Sequence, residues 1–253
     1  MKNALLASVC LLAIPALVHA EEGEWTGSGE LGFAATSGNT KSQNLNAKLA
    51  FKKEDATWKH AFHLNALRSK GEIGEDYELT ANRYELGASS GYKFDERSYL
   101  VGAARYEDDD FSPYEYQWVV SLGYGYTFIK NQRTELSAEI GPGFRRLDQR
   151  PYPLTAGTPP VTTIIDPDPE GNIVGRGLIA FKHKFNDVTA FENTLLIEAG
   201  SNNNYVQNDA GFAVSMNKKF ALKLGYQVRH NSEVSPGKEK TDQLLTTNLV
   251  YNF

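Results

Sequence analysis

Two short glycine motifs in the chain have spacings that enzymes use. Residues 27–32 (GSGELG) fit the dinucleotide-binding pattern G-x-G-x-x-G, and residues 87–91 (GASSG) fit the serine-nucleophile pattern G-x-S-x-G. Both patterns work only where a strand turns into a helix, which binds the phosphate at its N-terminus or holds the nucleophile, here Ser89, in a sharp turn. No helical pattern follows either motif. The sequence therefore predicts strand residues at both places and no cofactor.

Histidine chemistry is the next possibility. His60, His183 and His230 are expected on apolar strand faces, where a lipid hydrolase would need a serine, a histidine and a third polar group together. The pattern places no serine recognisably beside any of the three. His63 is expected on the opposite, polar face, and no H-x-x-x-H or Cys–His spacing accompanies it, so we interpret it as a hydrogen-bonded filler rather than a metal ligand. The sequence therefore predicts that the protein is not an enzyme.

Carboxylates form two short clusters in predicted loops, at residues 107–110 and 166–170. The second cluster imitates the first half of a calcium-binding loop, but its twelfth position is Gly177 instead of glutamate and two prolines stiffen it. The clusters could bind divalent cations weakly or share them with lipopolysaccharide phosphates, although a solvated acidic loop is the favoured alternative. The weak candidates are Asp108, Asp110, Asp166 and Asp168.

Strands must carry all of these groups. Apolar and polar residues alternate one by one through successive segments, for example at 116–128 and 220–229, and this period of two indicates β-strands. Most segments have 10–15 residues, enough for the roughly 9–11 residues that a tilted strand needs to cross a membrane. We predict about twelve strands, at residues 24–36, 41–53, 57–68, 79–93, 97–107, 115–128, 134–146, 174–184, 188–199, 206–217, 220–231 and 242–253.

The predicted connections are short at one end of the strands and long at the other. Long connections are expected at 69–78, 107–114, 147–173, 200–205 and 231–241, whereas 37–40 is short where a long one is expected. This asymmetry is typical of outer-membrane barrels. The sequence predicts an all-β fold: one antiparallel transmembrane β-barrel of about 12 strands over residues 21–253, with both termini periplasmic and a long extracellular loop at 147–173.

The amphipathicity is inverted relative to a soluble sandwich, because the polar face carries many long charged side chains and would line the lumen. One interpretation is a ladder of salt bridges that fills and closes a narrow barrel; the other is a small hydrated pore that favours anions. The predicted lumen cations are Lys48, Lys52, Lys59, Arg83, Lys93, Arg105, Arg145, Arg176, Lys182, Lys223 and Arg229. The predicted lumen anions are Glu30, Glu85, Glu135, Glu139, Glu192 and Glu198.

Composition excludes several other classes of protein. The 253 residues carry a formal net charge of −5, which argues against nucleic acid as a partner. Outside the N-terminus there is no apolar run of about 18–20 residues, so a helical membrane protein is excluded. The mean hydropathy of −0.44 would also fit a soluble protein, and the alternation decides against that.

The first twenty residues are typical of an export signal. Lys2 supplies a positive start, residues 4–18 are apolar, and small residues precede a predicted cut after Ala20. The one cysteine, Cys10, would leave with this signal peptide, residues 1–20. We therefore predict export by the general secretory route to the outer membrane of a Gram-negative bacterium.

The last strand ends on an aromatic residue, with Leu249, Tyr251 and Phe253 on one face. This pattern resembles the C-terminal signal that the barrel assembly machinery recognises in outer-membrane proteins. The expected partners are that machinery and periplasmic chaperones during biogenesis, and outer-membrane lipids with lipopolysaccharide afterwards. No particular protein partner is indicated.

Several short motifs resemble one family. Residues 32–42 (GFAATSGNTKS), 139–145 (EIGPGFR) and 223–226 (KLGY), together with the closing strand, are similar to a proteobacterial family of salt-induced outer membrane proteins of unknown function. The resemblance implies an outer-membrane barrel and supplies no catalytic or binding residues. The Pro- and Thr-rich segment 150–170 departs from the shared pattern.

Two functions follow from these observations. The first is a small passive pore or solute channel, and the alternative is a non-conducting barrel that supports outer-membrane integrity or cation-bridged lipopolysaccharide contacts. Conductance separates them.

Overall fold

The structure is a computed structural model that describes residues 23–36, 42–73, 76–110, 112, 114–156, 160–234 and 239–253. Twelve antiparallel strands form a closed barrel, and a separate two-stranded hairpin is inserted between the seventh and eighth barrel strands. The predicted signal peptide, residues 1–20, and the predicted connection at 37–40 lie outside the described residues. Among the described residues, no helix has the length and apolarity that crossing a membrane would require.

The barrel strands run in chain order around the ring, apart from the inserted hairpin of β8 and β9. The strands are β1 Trp25–Thr36, β2 Ser42–Glu54, β3 Trp58–Ile73, β4 Asp76–Lys93, β5 Ser98–Asp109, β6 Tyr114–Lys130, β7 Thr134–Gln149, β8 Tyr152–Ala156, β9 Val161–Ile165, β10 Glu170–Lys184, β11 Thr189–Gly200, β12 Asn204–Ser215, β13 Phe220–Asn231 and β14 Thr241–Asn252.

The predicted fold class is confirmed, and all twelve predicted strands are present. The differences lie at the ends with long connections. β3 and β4 continue through most of the predicted loop 69–78, and β5 extends to Asp109. The hairpin of β8 and β9 lies within the predicted loop 147–173. Polar residues that were predicted to form loops therefore belong to strands. Pairing with the neighbouring strand provides hydrogen-bond partners for their backbone N–H and C=O groups.

The outer face of the barrel is apolar and exposed. Leu31, Leu86, Leu122, Leu222 and Ile140 are each at least half exposed, as a surface that contacts lipid would be. Closure of the ring pairs the strand edges, which hydrocarbon requires because it offers no hydrogen bonds. These two features together define an outer-membrane β-barrel fold.

Five short connections form one end of the barrel, which we call the turn rim: residues 55–57, 94–97, 131–133, 185–188 and 216–219. The opposite end, the loop rim, holds the ends of β3, β5, β7, β11 and β13. Each turn carries an Asp or Asn whose side-chain oxygen accepts hydrogen bonds from the backbone N–H groups two and three residues later, a local motif that fixes the turn. These residues are Asp55, Asp95, Asn131, Asn186 and Asn217.

The two aspartates make this turn motif sensitive to pH. Asp55 and Asp95 each accept hydrogen bonds from two backbone N–H groups. These hydrogen bonds lower the pKa of both carboxyls below the ordinary value. A carboxyl with a lowered folded-state pKa stabilises the fold above its unfolded pKa, and the gain is lost as pH falls through the folded pKa. We expect the Asp55→Asn/Asp95→Asn variant to lose less stability than the parent between neutral and acidic pH. Thermal unfolding in detergent micelles across that range measures this, and parallel curves for the two proteins would contradict it.

The ring closes where β14 meets β1, and this seam has the fewest paired residues between described barrel strands, from Leu31 with Leu249 to Ser28 with Asn252. Beyond it, the backbone groups of Gly27 and Phe253 exchange two hydrogen bonds, of 2.7 and 2.9 Å. The Phe253 ring lies so close to Gly27 that a side chain there would collide with it. Phe253 also packs edge-on against Phe51 of β2, which ties the last residue to the first two strands.

Candidate functional site

The lumen is the candidate site, because the polar face of every barrel strand points into it. Each of the seventeen charged residues assigned to the lumen lies on the inward-pointing face of its strand. Glu85, Arg105, Arg145, Glu198, Lys223 and Arg229 are buried. Lys48, Arg83, Glu139 and Arg176 are half-buried, and Lys52 and Lys182 are exposed.

Arginine side chains cross the lumen near the loop rim. Arg105 on β5 donates to Glu198 on β11 through two hydrogen bonds, Nε to Oε1 at 3.2 Å and Nη2 to Oε2 at 2.5 Å. β5 and β11 are four places apart in the ring, so this fork reaches well across the interior. A bidentate arginine–carboxylate pair is the strongest common form of ion pair.

A second bridge spans opposite walls. Arg229 on β13 forms an ion pair with Glu107 on β5, six places away in a ring of twelve. Glu107 also accepts from Arg105 at 2.8 Å, which links the two bridges. The Tyr205 ring lies 4.6 Å from the guanidinium of Arg105 and 5.4 Å from that of Arg229, and its hydroxyl accepts from Arg229 Nε at 2.9 Å. We call these residues, with Glu198, the cross-lumen network.

Part of this network was not predicted from the sequence. Glu107 and Asp109 were assigned to an acidic loop, but both lie on the inner face of β5, in phase with Arg105. Asp109 accepts from Arg229 at 3.3 Å. Tyr205 lies on β12, which begins earlier than predicted. The regular alternation through Arg105 and Glu107 was the signal that could have revealed them.

Toward the turn rim, the ion pairs of Lys223 and Arg176 join neighbouring or next-but-one strands, whereas Lys130 on β6 reaches Glu54 on β2, four places away in the ring, at 2.8 Å. Lys223 contacts Glu30 at 2.8 Å and Glu192 at 2.5 Å. Arg176 contacts Glu139 at 3.1 Å. These pairs follow the wall, whereas the cross-lumen network fills the centre.

Other polar groups of the inner wall act as fillers. His63 lies 3.1 Å from Glu85, whose Oε1 also accepts from Asn65 at 2.8 Å, in agreement with the hydrogen-bonded role predicted for this histidine. Arg145 is fully buried and donates from Nη2 to the carbonyl of Asn203 at 2.5 Å, whereas its Nε and Nη1 have no partner among the described residues. The two glycine motifs lie within β1 and β4, as predicted.

One expectation about the outer face is wrong. Ser90 stands directly opposite His60, and its Oγ lies 3.0 Å from His60 Nδ1. His183 and His230 are paired in the same way with Thr134 and Thr241, each at 2.9 Å. Ser90 could not be recognised from the sequence, because only the register between β3 and β4 brings it beside His60. These pairs satisfy polar groups on an otherwise apolar face.

The acidic candidates remain apart. Asp110 accepts from Asn82 at 2.6 Å, and Asp108 lies on the outward-facing side of β5. Asp166 and Asp168 are exposed in the segment that follows β9. Within the described part of the chain, no group of three or more His, Cys, Asp or Glu side chains could hold a metal ion.

Solved structures with a similar strand arrangement are outer-membrane proteins. The translocator domain of the autotransporter NalP from Neisseria meningitidis is 13% identical and has a TM-score of 0.49, with 94% of this chain and 90% of that chain covered. The COG4313 outer membrane channel from Pseudomonas putida F1 is 10% identical and has a TM-score of 0.46, with 92% and 96% covered. The fold assignment itself rests on the closed ring and the exposed apolar face.

Sequence comparison identifies the family. The Escherichia coli K12 protein YdiY is 25% identical over 229 residues, which cover 90% of this chain and 82% of that protein. A family model described as a protein of unknown function, DUF481, matches residues 29–253. The predicted resemblance to an outer-membrane barrel family is thereby confirmed, while the salt-induced designation stays a prediction. Because the match extends from β1 to the last residue, the chain belongs to the DUF481 family.

Proposed function

We propose that the protein is a closed outer-membrane barrel that does not conduct ions in this conformation. The observation that carries the proposal is the cross-lumen network, in which Arg105 and Arg229 reach carboxylates on distant strands. Passage of ions needs a continuous water path along the axis. The network fills that path near the loop rim, since Glu107, Glu198 and Tyr205 are at most 2% exposed.

The closed state is also favoured by its energetics. Charges removed from water are stable only where good geometry and further hydrogen bonds compensate for the lost hydration. Both guanidinium groups of the network meet this condition, because each has two carboxylate partners and the Tyr205 ring beside it. A pore lined by the same residues would leave them separated by water. Of the two functions predicted from the sequence, the non-conducting structural barrel is therefore supported better than the passive pore.

The placement of the barrel follows from its surfaces. We assign the exposed apolar face to the outer-membrane lipids, and the loop rim, with segment 147–173, to the outside, where it would meet lipopolysaccharide. The turn rim and both termini would then face the periplasm. Residues 1–20 would direct export by the general secretory route. Leu249, Tyr251 and Phe253 would be read by the barrel assembly machinery, an assignment supported by the exposed position of Leu249 on β14 and by the packing of the Phe253 ring against Tyr251.

A planar-bilayer recording of the purified protein tests this function. We expect no discrete current steps in the parent protein, because the cross-lumen network blocks the axis. A 16-stranded porin inserted under the same conditions is the positive control for insertion and recording. Regular current steps from the parent protein would contradict the closed barrel and favour the passive pore.

A gated channel is the second candidate function, favoured by one observation. Lys52 and Lys182 face the lumen and are nevertheless exposed, so water enters the barrel from the turn rim. A channel would need only the loop-rim part to open. Current steps that occur only at high voltage or at a particular pH would favour this candidate.

A further inference from the structure

A row of polar side chains interrupts the apolar outer face beside the turn rim. Lys53, near the end of β2, stands directly opposite Trp25 of β1 and His60 of β3, so the three side chains share the outward face. Ser90 of β4 stands opposite His60 and continues the row. Asp55 follows Lys53 by two residues in the adjoining turn. Polar groups on the lipid-facing side of a barrel cost little only near the interfaces, which places this row at the level of the lipid headgroups.

Aromatic rings cover part of this row. The imidazole of His60 stacks against the indole of Trp58, with ring centroids 5.7 Å apart and planes 10° apart. It also stacks against the indole of Trp25, at 6.3 Å and 25°. Trp25 reaches His60 from two places away in the ring, so its indole extends over β2 at the position of Lys53. This cover agrees with the half-buried state of Lys53. We call Trp25, Lys53, Asp55, Trp58, His60 and Ser90 the outer patch.

The polar atoms of the outer patch retain capacity for a ligand. Ser90 Oγ lies 3.0 Å from His60 Nδ1, and with Ser90 as the donor the neutral imidazole carries its N–H on Nε2, which has no partner among the described residues. Lys53 forms no ion pair with any residue that the structure describes. Oδ1 of Asp55 accepts from the backbone N–H groups of Thr57 and Trp58 at 2.8 and 2.7 Å. That carboxylate is thereby held beside the patch.

The charges around the outer patch are mixed. Lys53 and Asp55 carry opposite signs, and Glu24 directly precedes β1. The neighbouring turn contributes Asp95, Glu96 and Arg97. Surroundings of both signs do not select a simple anion. A ligand that carries a phosphate and an ammonium group is complementary to them, because each of its charges finds an opposite one.

We propose that the outer patch binds one zwitterionic phospholipid whose headgroup carries a phosphate and a primary ammonium group, as in phosphatidylethanolamine. The phosphate accepts hydrogen bonds from the Lys53 ammonium and from His60 Nε2. The lipid ammonium contacts the Asp55 carboxylate and the indole faces, which attract cations. The acyl chains follow the apolar wall from Phe62, whose ring lies 5.8 Å from that of Trp25. This inference goes beyond the closed barrel, because the outer wall binds lipid whether or not the lumen is filled.

Native mass spectrometry of the folded protein tests the site. The full-length protein is released from nonionic detergent micelles that contain increasing amounts of dioleoyl-phosphatidylethanolamine, and one lipid should bind saturably ahead of any others. The Lys53→Gln/Asp55→Asn variant should bind this first lipid at least about tenfold more weakly, because both charge contacts are lost. Asparagine retains the turn motif, since Asn131, Asn186 and Asn217 already serve in it.

Two control variants accompany this measurement. Lys52→Gln removes the same charge from the adjacent, inward-facing position of β2 and should leave lipid affinity unchanged. His183→Gln removes a second histidine–hydroxyl pair beside the turn rim, the one with Thr134 at 2.9 Å. His183 also stacks on an aromatic ring, that of Phe181, but its cross-strand neighbours are Thr134 and Phe191 rather than a lysine. This variant should also bind the lipid as the parent does.

A second lipid separates the site from general attraction to an apolar wall. Phosphatidylglycerol has the phosphate but no ammonium group, so the parent should prefer phosphatidylethanolamine. Asp55→Asn should abolish this preference, because it removes the carboxylate that attracts the ammonium group and repels a net negative lipid. The proposal is overturned if no first lipid saturates, if the double variant binds as the parent does, if the preference survives Asp55→Asn, or if either control weakens binding equally. Conductance is measured separately, so a current through the parent would overturn the closed barrel and leave this result intact.

Discussion

Replacing Arg105 and Arg229 with serine is expected to turn a silent barrel into a conducting one. The two guanidinium groups are the parts of the cross-lumen network that reach from β5 to β11 and from β13 to β5. Serine retains a polar wall but leaves Glu107 and Glu198 with no cation across the axis. Water would hydrate both carboxylates and connect the loop rim to the water that already reaches Lys52. Planar-bilayer recordings should then show discrete current steps that the parent protein lacks.

The control for this experiment is Arg176→Ser. Arg176 is also an inner-wall arginine with a carboxylate partner, Glu139 at 3.1 Å, but that partner lies on the adjacent strand and the pair follows the wall. Its removal should leave the protein as silent as the parent. The closed-barrel explanation fails if the double variant, shown to be folded by heat-dependent gel mobility, remains silent, or if Arg176→Ser conducts equally well.

The second large effect is on stability. Glu107→Gln is expected to lower the free energy of unfolding by about 3–5 kcal/mol, the usual cost of removing one partner of a buried ion pair. Glu107 is 2% exposed and serves both Arg105 and Arg229, so its loss weakens both bridges at once. Arg105 keeps Glu198 as a partner and Arg229 keeps Asp109, so the expected loss of unfolding free energy lies toward the lower end of that range. Urea-induced unfolding in detergent micelles measures the change.

Glu115→Gln is the matched control for Glu107→Gln. Glu115 is exposed at the start of β6, and the same substitution there should change stability by no more than about 0.5 kcal/mol. The variant Glu107→Gln/Arg229→Gln adds a further check, because residues of one network are not additive. This double variant should lose less free energy of unfolding than the sum of the losses caused by the two single substitutions. Full additivity, or a loss at Glu107 no greater than at Glu115, would show that the network contributes little to folding.

The strands were predictable because their pattern is local. Alternation of apolar and polar residues has a period of two wherever a strand separates lipid from lumen, so each of the twelve segments could be recognised without its neighbours. The predictions were weakest at the loop rim, where β3, β4 and β5 continue beyond the apolar stretch. There both faces of the strand are polar, and the alternation that marks a membrane strand disappears although the backbone pairing continues.

The inner wall also has features that the local pattern predicts and features that it does not. Which charges face the lumen follows from parity along each strand. Their partners do not follow from parity. Arg105 and Glu198 are 93 positions apart, and Glu107 and Arg229 are 122 apart, so only the closure of the ring brings them together. Ser90 and His60 meet for the same reason, through a register that no local pattern records.

The sequence by itself determined that this chain forms a membrane β-barrel with a charged interior, because burial in lipid acts on each residue through its own side chain and its position in the strand. Only the tertiary structure decided that Arg105 and Arg229 reach carboxylates on distant strands near the loop rim, while Lys52 and Lys182 stay exposed toward the turn rim. That outcome depends on distances between side chains from opposite walls, which are set by strand number, register and ring closure rather than by any single segment.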